Sequence, residues 1–326
     1  MRLSRLTDRR EVRALLLVIL LLVVGAFKAP RLLEATSLSS IMLGLPILIV
    51  VAVGQMPVIV SRGVDLSVGS TLGLAGVIAG MTMRANPHAP LVLALGVALG
   101  VGLVLGTLNG LLIAYAKIPP ILATLGGLSA YRGLAFIVSR GKQVDANDIP
   151  SALTDWAQKG PVGIGSVTIP WMLVIAIAVA GFVALWTHRT GIGRDVFALG
   201  SNPEAARLRG VRTRHALLAT YALCGTLAGA GGLLYAARYG FVNPGSAGRG
   251  FELTVIAAVV IGGCDVRGGT GSVTGVLLGC LLLAVLDVGL AVLGVAADWQ
   301  VFTYGAVILF ALAFDAISRR AAGVVT

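Results

Sequence analysis

The chain has 326 residues, of which 57% are hydrophobic and only 12% are charged. A soluble domain carries about 25% charged residues, so this composition excludes a soluble enzyme, a disordered chain and a nucleic-acid-binding domain. The mean hydropathy of +0.95 predicts an all-α, polytopic membrane protein, in which the formal charge of +11 reports membrane topology and not a nucleic-acid partner.

Ten apolar runs recur along the chain, and each is a candidate crossing because a helix needs about 20 apolar residues to span the hydrocarbon core. In chain order they are residues 14–27, 40–60, 68–83, 91–115, 120–139, 170–187, 216–236, 251–263, 272–294 and 300–318. The first run follows several arginines but precedes no convincing cleavage site, so we expect a retained helix. The run 251–263 is too short to span alone, and we expect it to borrow flanking residues or to be re-entrant.

The distribution of Lys and Arg predicts the orientation, because cytoplasmic loops carry an excess of these residues. With the N-terminus inside, the inner segments carry 16 Lys and Arg residues and the outer segments carry 8. Both termini are therefore predicted to be cytoplasmic. No composition shift marks a second domain, so residues 1–326 are predicted to form a single transmembrane domain, with a long outer loop at 140–169 and a basic inner loop at 187–215.

Glycines at four-residue spacing share one helical face and allow backbones to approach closely, so they predict tight helix packing. The sets are Gly69/Gly73, Gly76/Gly80, Gly96/Gly100, Gly102/Gly106/Gly110, Gly225/Gly229 and Gly271/Gly275/Gly279. A faint internal similarity relates residues 63–70 (GVDLSVGS) to residues 263–270 (GCDVRGGT). Each places an Asp and glycines where the chain turns into a new apolar helix, and transporters are often built from repeats.

Polar side chains inside apolar runs are costly, about 2.5–3.5 kcal/mol for a charge at mid-helix, so they face protein or water instead of lipid. The candidates for a solute pathway are Gln55, Asp65, Asn109, Tyr131, Arg132, Glu252 and Asp287. Their alternative role is structural, in interhelical hydrogen bonds or in an ion pair of the Arg132–Asp287 type. Side chains of these types can also bind the hydroxyl groups of a sugar.

Several chemistries are excluded by the residues present. No P-loop or dinucleotide-binding pattern occurs, and the three cysteines and three histidines do not lie at metal-ligand spacing. No nucleophile–base pair is evident. We therefore predict no catalytic residue, no metal site and no cofactor bound by this chain. We expect it to conduct a solute and not to catalyse a reaction.

The inner loop at 187–215 contains the signals of a short helix. Ser201 or Asn202 can cap it, Pro203 suits its first turn, Glu204 suits its positive end, and Gly210 can end it. A helix of about two turns is therefore predicted between two crossings on the cytoplasmic side. It is either a solvated connector or a rigid knob that enters a partner protein.

Four separated motifs resemble those of bacterial sugar permeases, the membrane subunits of ribose-type ATP-binding-cassette importers. They are residues 63–69 (GVDLSVG), 119–127 followed by 131–133 (PPILATLGG and YRG), 193–211 in the inner loop, and 244–263 followed by 268–273. The motifs occur in the family's order, from about residue 46 to the final helix. Arg62 stands where the family usually has glycine, Cys264 and Asp265 stand where threonine and serine are common, and Asp287 precedes glycine by two residues where an Asn-Gly pair is common.

The resemblance implies a type II ABC importer-like permease fold with about ten transmembrane helices, in the bacterial inner membrane. It implies that cytoplasmic ATPase subunits, which use ATP and Mg, couple to the residues Asn202, Pro203, Glu204, Ala205, Ala206 and Gly210. An extracytoplasmic sugar-binding protein would deliver a pentose, a deoxyhexose such as rhamnose, or the autoinducer-2 signal. A second permease copy, identical or homologous, would complete a dimer that works by alternating access.

Three rival interpretations remain open from the residues. A permease of the branched-chain amino-acid importers has a similar inner loop. An ion-coupled secondary transporter would use Asp287 or Asp65 and would need no ATPase. A structural membrane protein would use the inner helix as an anchor and move no solute.

Overall fold

The computed structural model describes residues 10–165 and 167–296, together with the single positions 299, 302, 303, 305, 306 and 309. In chain order the elements are α1 Arg10–Lys28, α2 Ala35–Val60, α3 Val68–Ala85, α4 Leu91–Ala114, α5 Pro120–Ser139, α6 Ser151–Gln158, β1 Val162–Ile164, β2 Val167–Ile169, α7 Trp171–Arg189, α8 Gly191–Ser201, α9 Pro203–Leu208, α10 Thr213–Tyr239, α11 Phe251–Ile261 and α12 Val273–Val292.

The first nine predicted apolar runs all correspond to helices of the described chain, with bounds that differ by a few residues. The tenth, 300–318, lies outside the described residues apart from a few single positions, as do the arginines before residue 10. Within the described part, six helices are long and apolar enough to cross a membrane: α2, α4, α5, α7, α10 and α12. A total of ten crossings stays a prediction.

Alternate loops gather at two opposite ends of the helices, as successive crossings require. At one end, which we call the α9 end, the backbone N–H of Gly269 donates to the Val60 carbonyl at 2.8 Å. At the other, which we call the hairpin end after β1 and β2, Val144 and Val242 form an antiparallel bridge. Arg84 bonds Asp148 there, and this hydrogen bond lowers the pKa of the Asp148 carboxyl.

The hairpin end carries the long loop at 140–169, which holds α6 and a two-stranded antiparallel hairpin. The register pairs Val162 with Ile169 and Ile164 with Val167. A Cβ added at Gly165, where φ is +62°, would meet no atom within 4 Å. Space is therefore open beside Gly165 at the hairpin tip.

Helices α4 and α10 pack backbone to backbone. A Cβ at Gly102 or Gly106 would collide with the main chain of α10, and a Cβ at Gly225 would collide with the Gly102 carbonyl. The close approach predicted from these glycines is confirmed. The same prediction is wrong for Gly96 and Gly100, where an added Cβ would meet nothing within 4 Å, because these two residues lie on the other face of α4, while Ala98 between them meets Gly229 of α10.

The short run at 251–263 is too short to cross alone, but Val242 before it lies at the hairpin end and Gly269 after it lies at the α9 end, so the run passes between the two ends together with its flanking residues. Helix α11 has 11 residues, and the non-helical segment before it lies along the glycine face of α3. Main-chain atoms of Ala247 and Gly248 occupy the space that Cβ atoms would need at Gly73 and Gly69. Non-helical backbone at membrane depth must be buried in protein. Because Gly69 and Gly73 have no side chain, they leave space for this segment to pack against α3.

Candidate functional site

The predicted inner helix is present as α9, at six residues slightly shorter than expected. Its cap is Asn202, whose Oδ1 accepts hydrogen bonds from the backbone N–H groups of Glu204 and Ala205 at 3.1 and 3.0 Å. Gly210 follows the helix with φ +79°, a left-handed conformation that favours glycine. The capping residues thus fix a short, defined helix at the α9 end.

Two features of this loop were not predicted from the sequence. Helix α8 precedes α9 and is capped by Thr190, whose Oγ1 accepts from the Gly193 N–H at 3.0 Å. Leu208, the last residue of α9, is 90% exposed, whereas Ala206 is buried. A large apolar side chain projected by a capped helix is a typical anchor for a partner protein.

Arg62 joins this loop to the end of α2. Its Nε donates to the Gly200 carbonyl at 2.7 Å and its Nη2 donates to the Ser201 carbonyl at 2.9 Å. These carbonyls are the last of α8, where the helix dipole favours a positive charge. Arg62 itself has φ +67°, a strained conformation for a residue with a Cβ, so the two hydrogen bonds offset a local backbone cost.

Glycines allow the loop, the end of α2 and the end of α8 to approach closely at the same place. A Cβ at Gly200 would collide with the Val60 carbonyl and the Gly269 N–H, and a Cβ at Gly268 would collide with the Arg62 side chain. The ends of α2 and α8 and the loop before α12 therefore meet in one close-packed contact. We call this set, Val60, Arg62, Gly200, Gly268 and Gly269, the glycine junction.

The internal similarity has a structural counterpart at this end. Oδ1 of Asp65 accepts from the Ser67 N–H at 2.8 Å, and Oδ1 of Asp265 accepts from the Arg267 N–H at 3.0 Å. Each aspartate therefore forms the same local turn two residues ahead of itself. The two similar segments form the same type of turn at the α9 end of the helices.

Four of the seven predicted pathway residues lie together in a buried hydrogen-bond network. Ser67 Oγ donates to Asp65 at 2.6 Å, Asn109 Nδ2 donates to Ser67 Oγ at 2.8 Å, and Tyr131 OH donates to Asn109 Oδ1 at 2.7 Å. Gln55 Nε2 lies 3.4 Å from the Asp65 carbonyl. Since all four side chains are at most 7% exposed, within one chain they bond each other and line no open path.

The other three predicted residues are placed elsewhere. Arg132 donates to the carbonyls of Pro244 and Ala247, on the segment that precedes α11. Glu252 lies in the first turn of α11, and its Oε2 is buried without a hydrogen-bond partner among the described residues. Asp287 is exposed on α12 and lines a cavity. Arg132 and Asp287 thus serve different sites.

Substituting Asn109 by leucine is expected to lower the free energy of unfolding by about 2–4 kcal/mol, because Ser67 and Tyr131 each lose a buried partner. Thermal unfolding in detergent would measure the change. Ser129→Leu, on the exposed face of α5, is the control and should change stability little. An equally stable Asn109→Leu protein would show that the network contributes nothing to folding.

Comparisons with known proteins agree with this architecture. The family model described as "Branched-chain amino acid transport system / permease component" matches residues 37–312. The autoinducer 2 import system permease protein LsrC of Escherichia coli (strain K12 / DH10B) is 36% identical over 318 residues, 96% of this chain and 89% of its own length. Proteins of the same name from Shigella flexneri and Salmonella paratyphi B are each 35% identical, over 96% of this chain and 89% and 88% of their own lengths. No solved structure matches the chain.

Proposed function

We propose a function for this chain, which belongs to the family of permease components of branched-chain amino acid transport systems. In this proposal it is the membrane-spanning subunit of an ATP-binding-cassette importer for a small sugar-like solute. The observation that carries the proposal is the similarity, over nearly the whole chain, to permease proteins of autoinducer 2 import systems. The proposed solutes are a monosaccharide, such as a pentose or deoxyhexose, and autoinducer 2 itself.

The proposed assembly resides in the bacterial inner membrane with both termini of this chain in the cytoplasm. Two ATPase subunits bind the α9 end and use ATP and Mg, and a binding protein delivers the solute to the hairpin end. A second permease copy completes the dimer. ATP binding brings the ATPase subunits together, and the interface between the permeases opens alternately to the two sides.

The glycine junction supports a route for this motion. A displacement of α8 and α9 reaches α2 through the Arg62 hydrogen bonds to Gly200 and Ser201. It reaches the loop before α12 through Gly269, which bonds Val60. Because the backbones of Val60, Gly200 and Gly269 meet directly, the junction transmits displacement as a rigid contact.

The buried network extends this route. Asp65 lies three residues after Arg62, and Asn109 and Tyr131 connect it to α4 and α5. In the proposed mechanism these residues move as a unit when the junction moves, so they shape the solute pathway by positioning helices. We assign Arg132, Glu252 and Asp287, which lie outside the network, as the remaining candidates for contact with solute.

Reconstitution tests the proposal. Proteoliposomes containing this chain, the partner ATPase and the binding protein should accumulate labelled ribose, rhamnose or autoinducer 2 only when ATP is supplied. Leucine serves as the competing solute. Accumulation of leucine alone would favour a branched-chain amino-acid permease, and uphill transport by this chain without an ATPase would indicate a secondary transporter.

Substitution of Leu208 by glutamate is expected to weaken ATPase binding by at least about tenfold, since an apolar anchor at an interface centre contributes about 2 kcal/mol or more. Co-purification of the ATPase would measure it. Val162→Glu, an exposed apolar residue at the hairpin end, is the matched control.

Two further variants, Glu204→Lys and Gly210→Pro, should uncouple transport while the protein remains inserted, because proline cannot adopt the positive φ of Gly210. Normal import by all three variants would refute the docking role of α9.

A further inference from the structure

Arg249 is an exposed arginine that lies deep between the two ends of the helices. It follows Gly248, whose carbonyl occupies the space that a Cβ at Gly69 would need, so it lies beside the first turn of α3. One turn further along α3, the Leu72 carbonyl occupies the space that a Cβ at Gly232 of α10 would need. These contacts relate the level of Arg249 to the length of α10.

The contacts place Arg249 near the middle of the membrane. Gly232 lies seven residues before Tyr239, the hairpin end of α10, which is about 10 Å at the rise of an α-helix. Gly69 lies about 5 Å farther from that end, since α3 and α10 both run toward the hairpin end. Arg249 therefore lies about 15 Å from the hairpin end of α10, and the hydrocarbon core is about 30 Å thick.

Asp287 lies at the same level as Arg249. The Ala258 carbonyl of α11 occupies the space that a Cβ at Gly279 of α12 would need, and these two helices run in opposite directions. Eight residues before Ala258 is Gly250, and eight residues after Gly279 is Asp287. Arg249 and Asp287 are both exposed and both line one cavity of about 390 Å³. The cavity therefore holds opposite charges at a single level.

The cavity leads from the hairpin end to this level. Ser40 and Tyr239 line it near the hairpin ends of α2 and α10, and Phe251 lines it at the start of α11. Its volume lies in the range typical of small-ligand sites. A small solute that enters at the hairpin end can therefore reach Arg249 and Asp287 without passing between packed helices.

Lipid is an unfavourable neighbour for the exposed side of Arg249. A charged side chain at mid-helix costs about 2.5–3.5 kcal/mol on insertion scales, and Ser246 and Gly250 beside it are exposed as well. Arginines near helix ends can extend to the membrane surface, but the backbone before Arg249 is packed against α3 near mid-membrane. This side of the chain therefore faces water or a second protein surface.

Arg249 and Asp287 are chemically complementary to a sugar. A guanidinium only donates hydrogen bonds and a carboxylate only accepts them, whereas each hydroxyl group of a sugar can do both. Adjacent hydroxyl groups can therefore accept from Arg249 and donate to Asp287 at the same time. Since the formal charges of the two residues cancel, the pair suits an uncharged solute.

We propose that this cavity is the half of the solute pathway that opens at the hairpin end, and that Arg249 contacts the solute there opposite Asp287. This role rests on the proposed function and adds Arg249 to the residues assigned there. The side of the chain that bears Ser246, Arg249 and Gly250 faces the second permease copy, which closes the pathway against lipid.

Cysteine labelling tests whether Arg249 faces water. The chain and its ATPase are assembled in lipid nanodiscs, where both faces are accessible, and treated with the charged thiol reagent methanethiosulfonate ethyltrimethylammonium. Arg249→Cys should react at least about tenfold faster than Gly181→Cys, an exposed position in the middle of α7 where an added Cβ meets nothing within 4 Å. The native cysteines Cys224, Cys264 and Cys280 are buried, so the wild type gives the background. Equally slow labelling of the two variants would overturn the proposal.

Import tests the contact with solute. In proteoliposomes with the ATPase and the binding protein, Arg249→Gln should lower ATP-driven sugar import at least about tenfold, because hydrogen bonds from a charged donor are lost. Arg249→Lys should retain part of the import, and Arg31→Gln, an exposed arginine outside the cavity, should import like the wild type. If wild type imports sugar and Arg249→Gln imports it equally well, Arg249 does not contact the solute and the proposed function stands. If wild type imports no sugar, the proposed function fails, and fast labelling of Arg249→Cys would still show a water-filled pathway.

Discussion

Replacing Arg62 by glycine will lower ATP-driven import about tenfold and will lower the free energy of unfolding by about 1–5 kcal/mol, the balance of the lost hydrogen bonds and the relieved strain. The substitution removes both hydrogen bonds from Arg62 to the end of α8, each worth about 1.5–3 kcal/mol because the donor is charged. It also removes the strain of φ +67°, which costs an L-residue about 1–2 kcal/mol. Import and ATP hydrolysis, measured together in proteoliposomes, should show hydrolysis continuing while import falls.

Arg140→Gly is the matched control for this result. Arg140 is also an exposed arginine with positive φ, +53°, but it ends α5 at the hairpin end, away from α8. The same chemical change there should leave import unchanged. Equal losses in the two variants, or normal import by Arg62→Gly, would mean that the junction does not carry motion from α8 to α2.

Replacing Gly225 by valine will reduce the yield of folded protein to less than about a tenth of the wild type. A Cβ at this position would lie 2.6 Å from the Gly106 Cα and would collide with the Gly102 carbonyl. Backbone atoms cannot move aside as a flexible side chain can, so we expect a cost at or above the upper part of the 1–3 kcal/mol range for overpacking, about 3 kcal/mol or more. Monodisperse protein recovered from membranes in mild detergent would measure the effect.

Gly181→Val controls for the general effect of valine in a helix. Gly181 lies on α7, and an added Cβ there would meet nothing within 4 Å. That variant should be recovered at nearly the wild-type level. Recovery of Gly225→Val at the same level would show that α4 and α10 can separate without loss of the fold.

The positions of the long helices could be predicted from the sequence because one physical quantity, apolar length, decides them. Helix α8 could not, since its first turn, Gly191 to Gly193, is typical of a loop and its cap is a single threonine. The exposure of Leu208 could not be predicted either, because six helical residues are too few to show which face of the helix packs against the rest of the chain.

The glycine pairs show a second limit. Gly225 and Gly229 on α10 meet the backbone of α4, whereas Gly96 and Gly100, with the same spacing, meet nothing within 4 Å. Spacing predicts a small-residue face, but only the tertiary arrangement says which face has a neighbour.

The polar candidates divide in the same way. Asn109, predicted to face the bundle interior or a water-filled path, is buried, and so is the candidate pathway residue Tyr131. That they bond each other, while Asp287 lines a separate cavity, depends on distances between helices that no local pattern contains.

The open space beside Gly165 in the β1–β2 hairpin allows a single measurement to determine which side of the membrane each end of the chain faces. A short epitope inserted at Gly165, where an added atom would meet no neighbour, should leave the helices undisturbed. Antibody labelling of intact spheroplasts would then report whether that loop faces the periplasm, and every other loop would follow by alternation.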